Sequence, residues 1–156
     1  MNVEPMQTLS IKTIKDVFYF ANEKLYVNDP NKNIKIEINQ RIGVNSENNL
    51  INLTIIVELH YANESDILAK IEVDNVFHLT NLKDVFDPYS KDFLPVKIIV
   101  TMVGLSISHA RAFFSKNLSG TIFNSVILPI TDPLDAAKHF FPHLSYDKED
   151  SFSIWL

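Results

Sequence analysis

NIKIEINQRI, residues 33–42, is the segment from which the fold is read. Ile34, Ile36, Ile38 and Ile42 fall on one side, and Lys35, Glu37, Asn39 and Arg41 on the other. A period of two in β-branched residues marks a strand with one dry face and one wet face. Residues 50–61, LINLTIIVELHY, repeat the pattern, with Ile51, Leu53, Ile55, Val57, Leu59 and Tyr61 on one side. The stretch between them, residues 43–49, is polar and turn-forming. Residues 63–66 make a second short polar connection, as a hairpin requires. A further strand then carries Ile67, Ala69, Ile71 and Val73, with Asp74-Asn75 as a candidate bulge before residues 76–79. Upstream, Leu9, Ile11 and Thr13 alternate until the phase shifts at Ile14, which predicts a bulge or two short strands over residues 9–20.

The pattern changes downstream of the strands. Residues 81–95 read as a loop with two prolines, Pro88 and Pro95, and three aromatics, Phe86, Tyr89 and Phe93. Aromatics on so long a loop form either a working surface or a set of plugs tucked onto the sheet edge. Residues 96–117 predict a long helix, with Pro95 in its first turn. Ile99, Val103, Ser106, Ala110 and Phe113 form one stripe, and Ile98, Met102, Leu105 and His109 a neighbouring one. A helix so apolar on two stripes is expected to be covered on more than one side, the second by another subunit. Ser119-Gly120 predicts a glycine stop. An extended apolar segment, residues 121–130, leads to a short helix over residues 134–141. Asp132 or Thr131 is its expected cap, Pro133 its first turn and Pro142 its stop. Strands first and helices after them give an α+β class.

Composition narrows the function. The 156 residues suit one domain, and 46% hydrophobic content supports a core. We expect the domain over residues 1–143 and an acidic, apolar-ended tail over residues 144–156. No cysteine is present, so disulfides, thiolate metal sites and cysteine nucleophiles are excluded. Three glycines cannot build a Walker or Rossmann phosphate loop, so nucleotide-driven work through either motif is excluded. A net charge of −5 argues against nucleic acid as a partner. The least polar run, residues 98–107, is about half the ~20 residues that a bilayer span needs, which predicts a buried helix and no membrane insertion. The first residues carry no basic start followed by an apolar run, so a cytoplasmic location is expected. His139 and His143 are four apart, a spacing seen in metal sites, but Pro142 interrupts the helix and no third ligand is evident. Ser106, Ser108, His109 and Arg111 cluster without a nucleophile elbow or a partner acid. Neither a metal, a cofactor nor an enzyme is expected.

Several strings, taken in order, resemble the SecB family of export chaperones. They are Lys15-Asp16-Val17, NIKIEINQ at 33–40, Ala110-Arg111, Ser119-Gly120-Thr121 and LPITD at 128–132. The resemblance spans roughly residues 6–142. It implies a four-stranded antiparallel sheet followed by a long helix, an extended crossing and a short C-terminal helix. It also implies a homotetramer built as a dimer of dimers, with the long helices packed between sheets. Apolar grooves on such a particle would hold unfolded polypeptides without ATP. By match to the family, the client-binding groove would include Ile34, Ile36 and Ile38 on the second strand and Leu134, Phe140 and Phe141 on the last helix, with Phe86, Tyr89 and Phe93 as loop candidates. Ordinary core packing is the competing reading for all of these.

Members that serve secretion dock the motor SecA through acidic residues on the sheet's outer face. Asp16 matches one such position, and Glu72 lies two residues from another, which holds Lys70; Phe20 stands where an acid is frequent. The alternative within the same family is a dedicated chaperone of an antitoxin in a toxin–antitoxin system, which needs no SecA face. The terminal apolar residues Phe152–Leu156 could occupy a groove of their own or a neighbouring subunit.

Overall fold

The computed structural model describes residues 7–146. Four strands form one antiparallel sheet: β1 (Leu9–Ala21), β2 (Ile34–Asn45), β3 (Leu50–Tyr61) and β4 (Ile67–Leu79), in the order β1-β4-β3-β2. Three helices follow: a single turn α1 (Leu82–Val85), the long α2 (Val96–Leu118) and the short α3 (Pro133–Phe140). This is the α+β sheet-then-helices architecture expected from the sequence. The candidate tail is described only up to Tyr146; residues 147–156, with Phe152–Leu156, lie outside the described residues. The packed body runs past 143, because Leu144 is buried and the Tyr146 hydroxyl donates to the carbonyls of Ala137 and Phe141.

The alternation read from β3 is the alternation of burial. Ile51, Leu53, Ile55, Val57, Leu59 and Tyr61 are all buried. β2 pairs with β3 without a break from Ile34↔Tyr61 to Asn45↔Leu50, so its isoleucines join the same inner face. β4 differs from expectation. Asp74 and Asn75 pair in register with Thr54 and Leu53, and alternation runs through them unbroken. The irregularities sit elsewhere, on β1 at Lys12 and at Val17 and on β4 at Leu68, opposite the Leu59–His60 step of β3. Each extra residue flips the phase, which is why the apolar pattern of residues 9–20 looked broken.

Asn75 is buried on the inner face and fully used. Its amide nitrogen donates to the carbonyls of Leu53 (3.1 Å) and Val73 (3.3 Å), and its amide oxygen accepts from Nδ1 of His109 on α2 (2.7 Å). A buried polar group must be paired in this way. Burial pushes the His109 imidazole below its ordinary pKa.

The corners are made by asparagines. Asn49, Asn63 and Asn81 hold φ of 56°, 66° and 56°. Asparagine is the non-glycine residue that tolerates this region best, and the chain has only three glycines. The loop after β4 is shorter than expected, because α1 occupies its first residues; the Asn49 side chain accepts from the Leu82 N–H.

α2 lies on the sheet through Ile98, Ile99, Met102, Val103, Ser106, Ile107, Ala110, Phe114 and Leu118. The stripe therefore passes through Phe114, while Phe113, Leu105 and His109 are only half-buried. Its second covered side faces α3, where Gly104 lies so close that an added Cβ would meet Pro133 at 3.0 Å. At 23 residues α2 has the length and composition of a bilayer span, longer than the run that first stood out. Its end is not a glycine stop. No glycine has positive φ; the Ser119 and Thr121 hydroxyls donate to the carbonyls of Lys116 (2.8 Å) and Leu118 (2.9 Å). The segment after it turns over residues 119–125 before it extends, pinned by buried Phe123 and Leu128.

Candidate functional site

β2 is an edge strand, so its outer side has no neighbour in the sheet. Ile34, Ile36, Ile38 and Ile42 point inward but stay half-buried, because α2 covers the middle of the sheet and leaves this margin open. α3 stands beside the margin. Asp132 caps it, its carboxylate accepting from the N–H groups of Leu134 (2.9 Å) and Asp135 (3.1 Å), and Pro133 is its first residue. The close Gly104–Pro133 approach fixes where α3 begins relative to α2.

Between these elements runs a groove of about 240 Å³. Ile38 of β2 and Ile107 of α2 line it, with Ala136 and Phe140 of α3 opposite; Thr131, Asp135 and His139 contribute the polar atoms. At about 30 Å³ per water the space holds roughly eight waters. Its walls are mostly hydrocarbon, so an apolar side chain that replaces those waters is bound without directional requirements. Burying one Leu or Phe side chain contributes about 1.5–3 kcal/mol.

Exposed apolar residues adjoin the groove-forming elements in sequence. On the crossing that leads into α3, Ile130 is 90% exposed and Ile127 is also exposed; Leu134, in the first turn of α3, is exposed as well. Among the described residues no group of three or more His, Asp or Glu could hold a metal ion.

The candidate residues separate into three sets. Ile38 and Phe140 meet in the groove, and Ile34 and Ile36 continue the same open face of β2. Leu134 is exposed on α3 outside the lining. Phe141 is buried, its ring 5.8 Å from that of Phe93, and Phe86 and Phe93 pack against the core. Tyr89 is 97% exposed at the tip of its loop, so the three loop aromatics do not form one surface. Sequence reading missed Ile107, Ala136 and His139 as lining. Ile107 fell between the two stripes assigned to α2, and His139 was weighed only as a metal ligand.

Asp16 and Glu72 do not form one acidic patch. Asp16 pairs with Val73 on the helix-covered side, where Asn117 Nδ2 lies 3.4 Å from its carboxylate, and the Val17 bulge separates it from Phe18, which pairs with Glu72. Glu72 is on the other side, 2.9 Å from Arg41 and 3.6 Å from Lys70. The Arg41 guanidinium holds the Glu72 carboxyl below the usual carboxylate range. Lys70 also pairs with Glu58 at 3.1 Å and lies over the ring of Phe18, so the outer face mixes both signs.

No family model matches the sequence, and neither does any curated protein. Solved structures do resemble the fold. The SecB-like chaperone Rv1957 of Mycobacterium tuberculosis, in complex with a ChAD peptide from the Rv1956 HigA1 antitoxin, superposes with a TM-score of 0.59 at 14% identity. The match covers 79% of this chain and 89% of that one. A protein of unknown function from Streptococcus agalactiae gives a TM-score of 0.40 at 6% identity, over 80% of this chain and 99% of that one. The fold of this chain, a four-stranded antiparallel sheet with its helices, is therefore that of a SecB-like chaperone.

Proposed function

We propose that the protein is an ATP-independent chaperone that holds non-native polypeptide in extended form along the β2 edge. The single observation that carries this reading is the open apolar groove between Ile38, Ile107 and Phe140 beside the unpaired edge of β2. Such a site takes apolar side chains from the guest and leaves the guest backbone free to pair with β2, a strand-addition mode in which the backbone provides affinity and the alternate side chains provide selection. The SecB-like fold of a chaperone solved with an antitoxin peptide supports the same use.

Two versions differ in the guest. A general holdase, serving export, would bind many unfolded chains; a dedicated partner of an antitoxin would bind one segment. The mixed charge around Glu72 and the displacement of Asp16 weigh against an acidic SecA-docking face and favour the second version. We further propose a homotetramer in the cytoplasm. The apolar side chains left exposed on β1 (Ile11, Val17, Phe18 and Tyr19) support assembly with further copies.

Light scattering of a diluted, denatured client tests the holding function. Aggregation should fall at stoichiometric protein without nucleotide; unchanged aggregation in both the presence and absence of a candidate antitoxin peptide, with no binding of that peptide, refutes both versions. Competition between the peptide and the denatured client separates them. Light-scattering mass gives the assembly, and a monomer at micromolar concentration would remove the tetramer.

A further inference from the structure

The chain leaves its packed body beside the groove. Asp135, Ala136, His139 and Phe140 of α3 form one wall, and Tyr146 is fastened to the same helix by bonds of 2.7 Å and 2.8 Å to Ala137 and Phe141. Residues 147–156 read DKEDSFSIWL. The first four are a charged spacer. Beyond it, Phe152, Ile154 and Leu156 repeat every second residue, as Ile34, Ile36 and Ile38 do on β2. Two extended segments with that period present apolar side chains at the same spacing, about 6.6–6.8 Å.

Reach and charge agree with this match. An extended spacer of four residues covers about 13–14 Å, and an eight-residue helix such as α3 is about 12 Å long. The apolar part can therefore reach the whole groove from Tyr146. The spacer carries Asp147, Glu149 and Asp150 against a single Lys148. It departs next to the basic end of α3, where Lys138, His139 and His143 are exposed.

We propose that residues 152–156 dock in this chain's own groove as an internal guest, which a client must displace. The inference rests on reading the groove as the client site. A short tether gives an effective concentration on the order of 1 mM. If the free segment binds with a Kd of about 0.1 mM, the groove is open for roughly one molecule in ten, and apparent client affinity falls about tenfold. The tail then sets a threshold: weakly apolar chains are refused and strongly apolar ones are admitted.

Trp155 is the only tryptophan in the chain, so its fluorescence reports the segment without a label. In the full chain, Trp155 should be shielded from acrylamide at every protein concentration and should become quenchable when a saturating unfolded client is added. Replacing both Phe152 and Ile154 by Asp should expose Trp155 and tighten binding of a labelled apolar peptide about tenfold. Ile38→Asp, which alters the groove and not the tail, should also expose Trp155. Equal quenching in all three proteins overturns the proposal, as does shielding that survives Ile38→Asp. Shielding that appears only as concentration rises would assign the segment to a neighbouring copy and overturn the internal form. If the tail responds as expected but no client binds any variant, the chaperone reading fails and the docking stands; clients that bind wild type and tail variant equally leave the chaperone reading and remove the internal guest.

Discussion

Ile38→Asp is the most direct challenge to the groove. Ile38 lies on the inner side of β2, half-buried, with Ile107 and Phe140 across the opening. A guest side chain that fills the space contributes about 1.5–3 kcal/mol by burial. With a carboxylate on one wall, the guest must leave part of its surface wet or strip water from the charge. Loss of about half the burial is about 0.75–1.5 kcal/mol, or about 4- to 12-fold in Kd. The fold should survive, because the carboxylate can turn to the water in the groove and a loss of about 1 kcal/mol is small beside a typical stability of about 5–15 kcal/mol. Asn39→Asp is the control. It adds the same charge one residue away on the exposed outer side of β2 and should change Kd less than about twofold. Fluorescence anisotropy of a labelled apolar peptide reads Kd, and circular dichroism melts confirm that both variants are folded. The comparison is made in the background of Phe152→Asp with Ile154→Asp, where the tail does not compete; there, a folded Ile38→Asp protein that binds within twofold of its parent refutes the placement of the site.

Other perturbations test the supports. Asp132→Ala removes two hydrogen bonds from the start of α3 and should lower stability by about 1 kcal/mol; an unchanged denaturant midpoint would deny the cap its role. Gly104→Ala sets a helix-propensity gain of about 1 kcal/mol against the cost of a 3.0 Å contact with Pro133, where overpacking typically costs about 1–3 kcal/mol. The melting temperature should fall or stay level, and a clear rise would mean that α3 does not press on α2. Stability should also depend on pH through His109. Its pKa is lowered in the folded state, so the unfolded chain binds more protons below the ordinary value of 6.5. The stabilisation is present above that pH and is lost as pH falls from there through the folded-state pKa. His109→Gln should flatten the difference between melts at pH 7.5 and pH 5; identical slopes in the two proteins would contradict this origin.

The sheet was legible because β2 and β3 carry a period of two, and burial follows it on β3 except at Thr54, which is buried on the opposite side, where its hydroxyl donates to Asp74. The cap of α3 was legible for a similar reason, since Asp132-Pro133 combines an N-terminal acceptor with a residue that needs no donor. Other features depend on what lies across the fold. Whether the α2 stripe runs through Phe113 or Phe114 is decided by the sheet beneath it, and sequence spacing allows both. Asn75 looked like a bulge because a polar residue interrupted an apolar strand; only His109, 34 positions away, explains it. The groove was half legible. Ile38 and Phe140 are large and apolar, but the choice between core and opening turns on how far α2 extends over the sheet. Phe141 and Phe140 are adjacent in sequence, and one faces the core while the other faces the opening.

The two borders of the sheet are unlike. β2 pairs with its neighbour at every position, and its far side offers an uninterrupted row of backbone donors and acceptors. β1 is interrupted at Lys12 and again at Val17. A border with two such breaks is a poor template for endless lateral growth, because each added ribbon would have to reproduce both kinks. On the proposed reading, in which β2 gathers aggregation-prone chains, the kinked β1 border lowers the risk of seeding a fibril from the opposite side of the sheet.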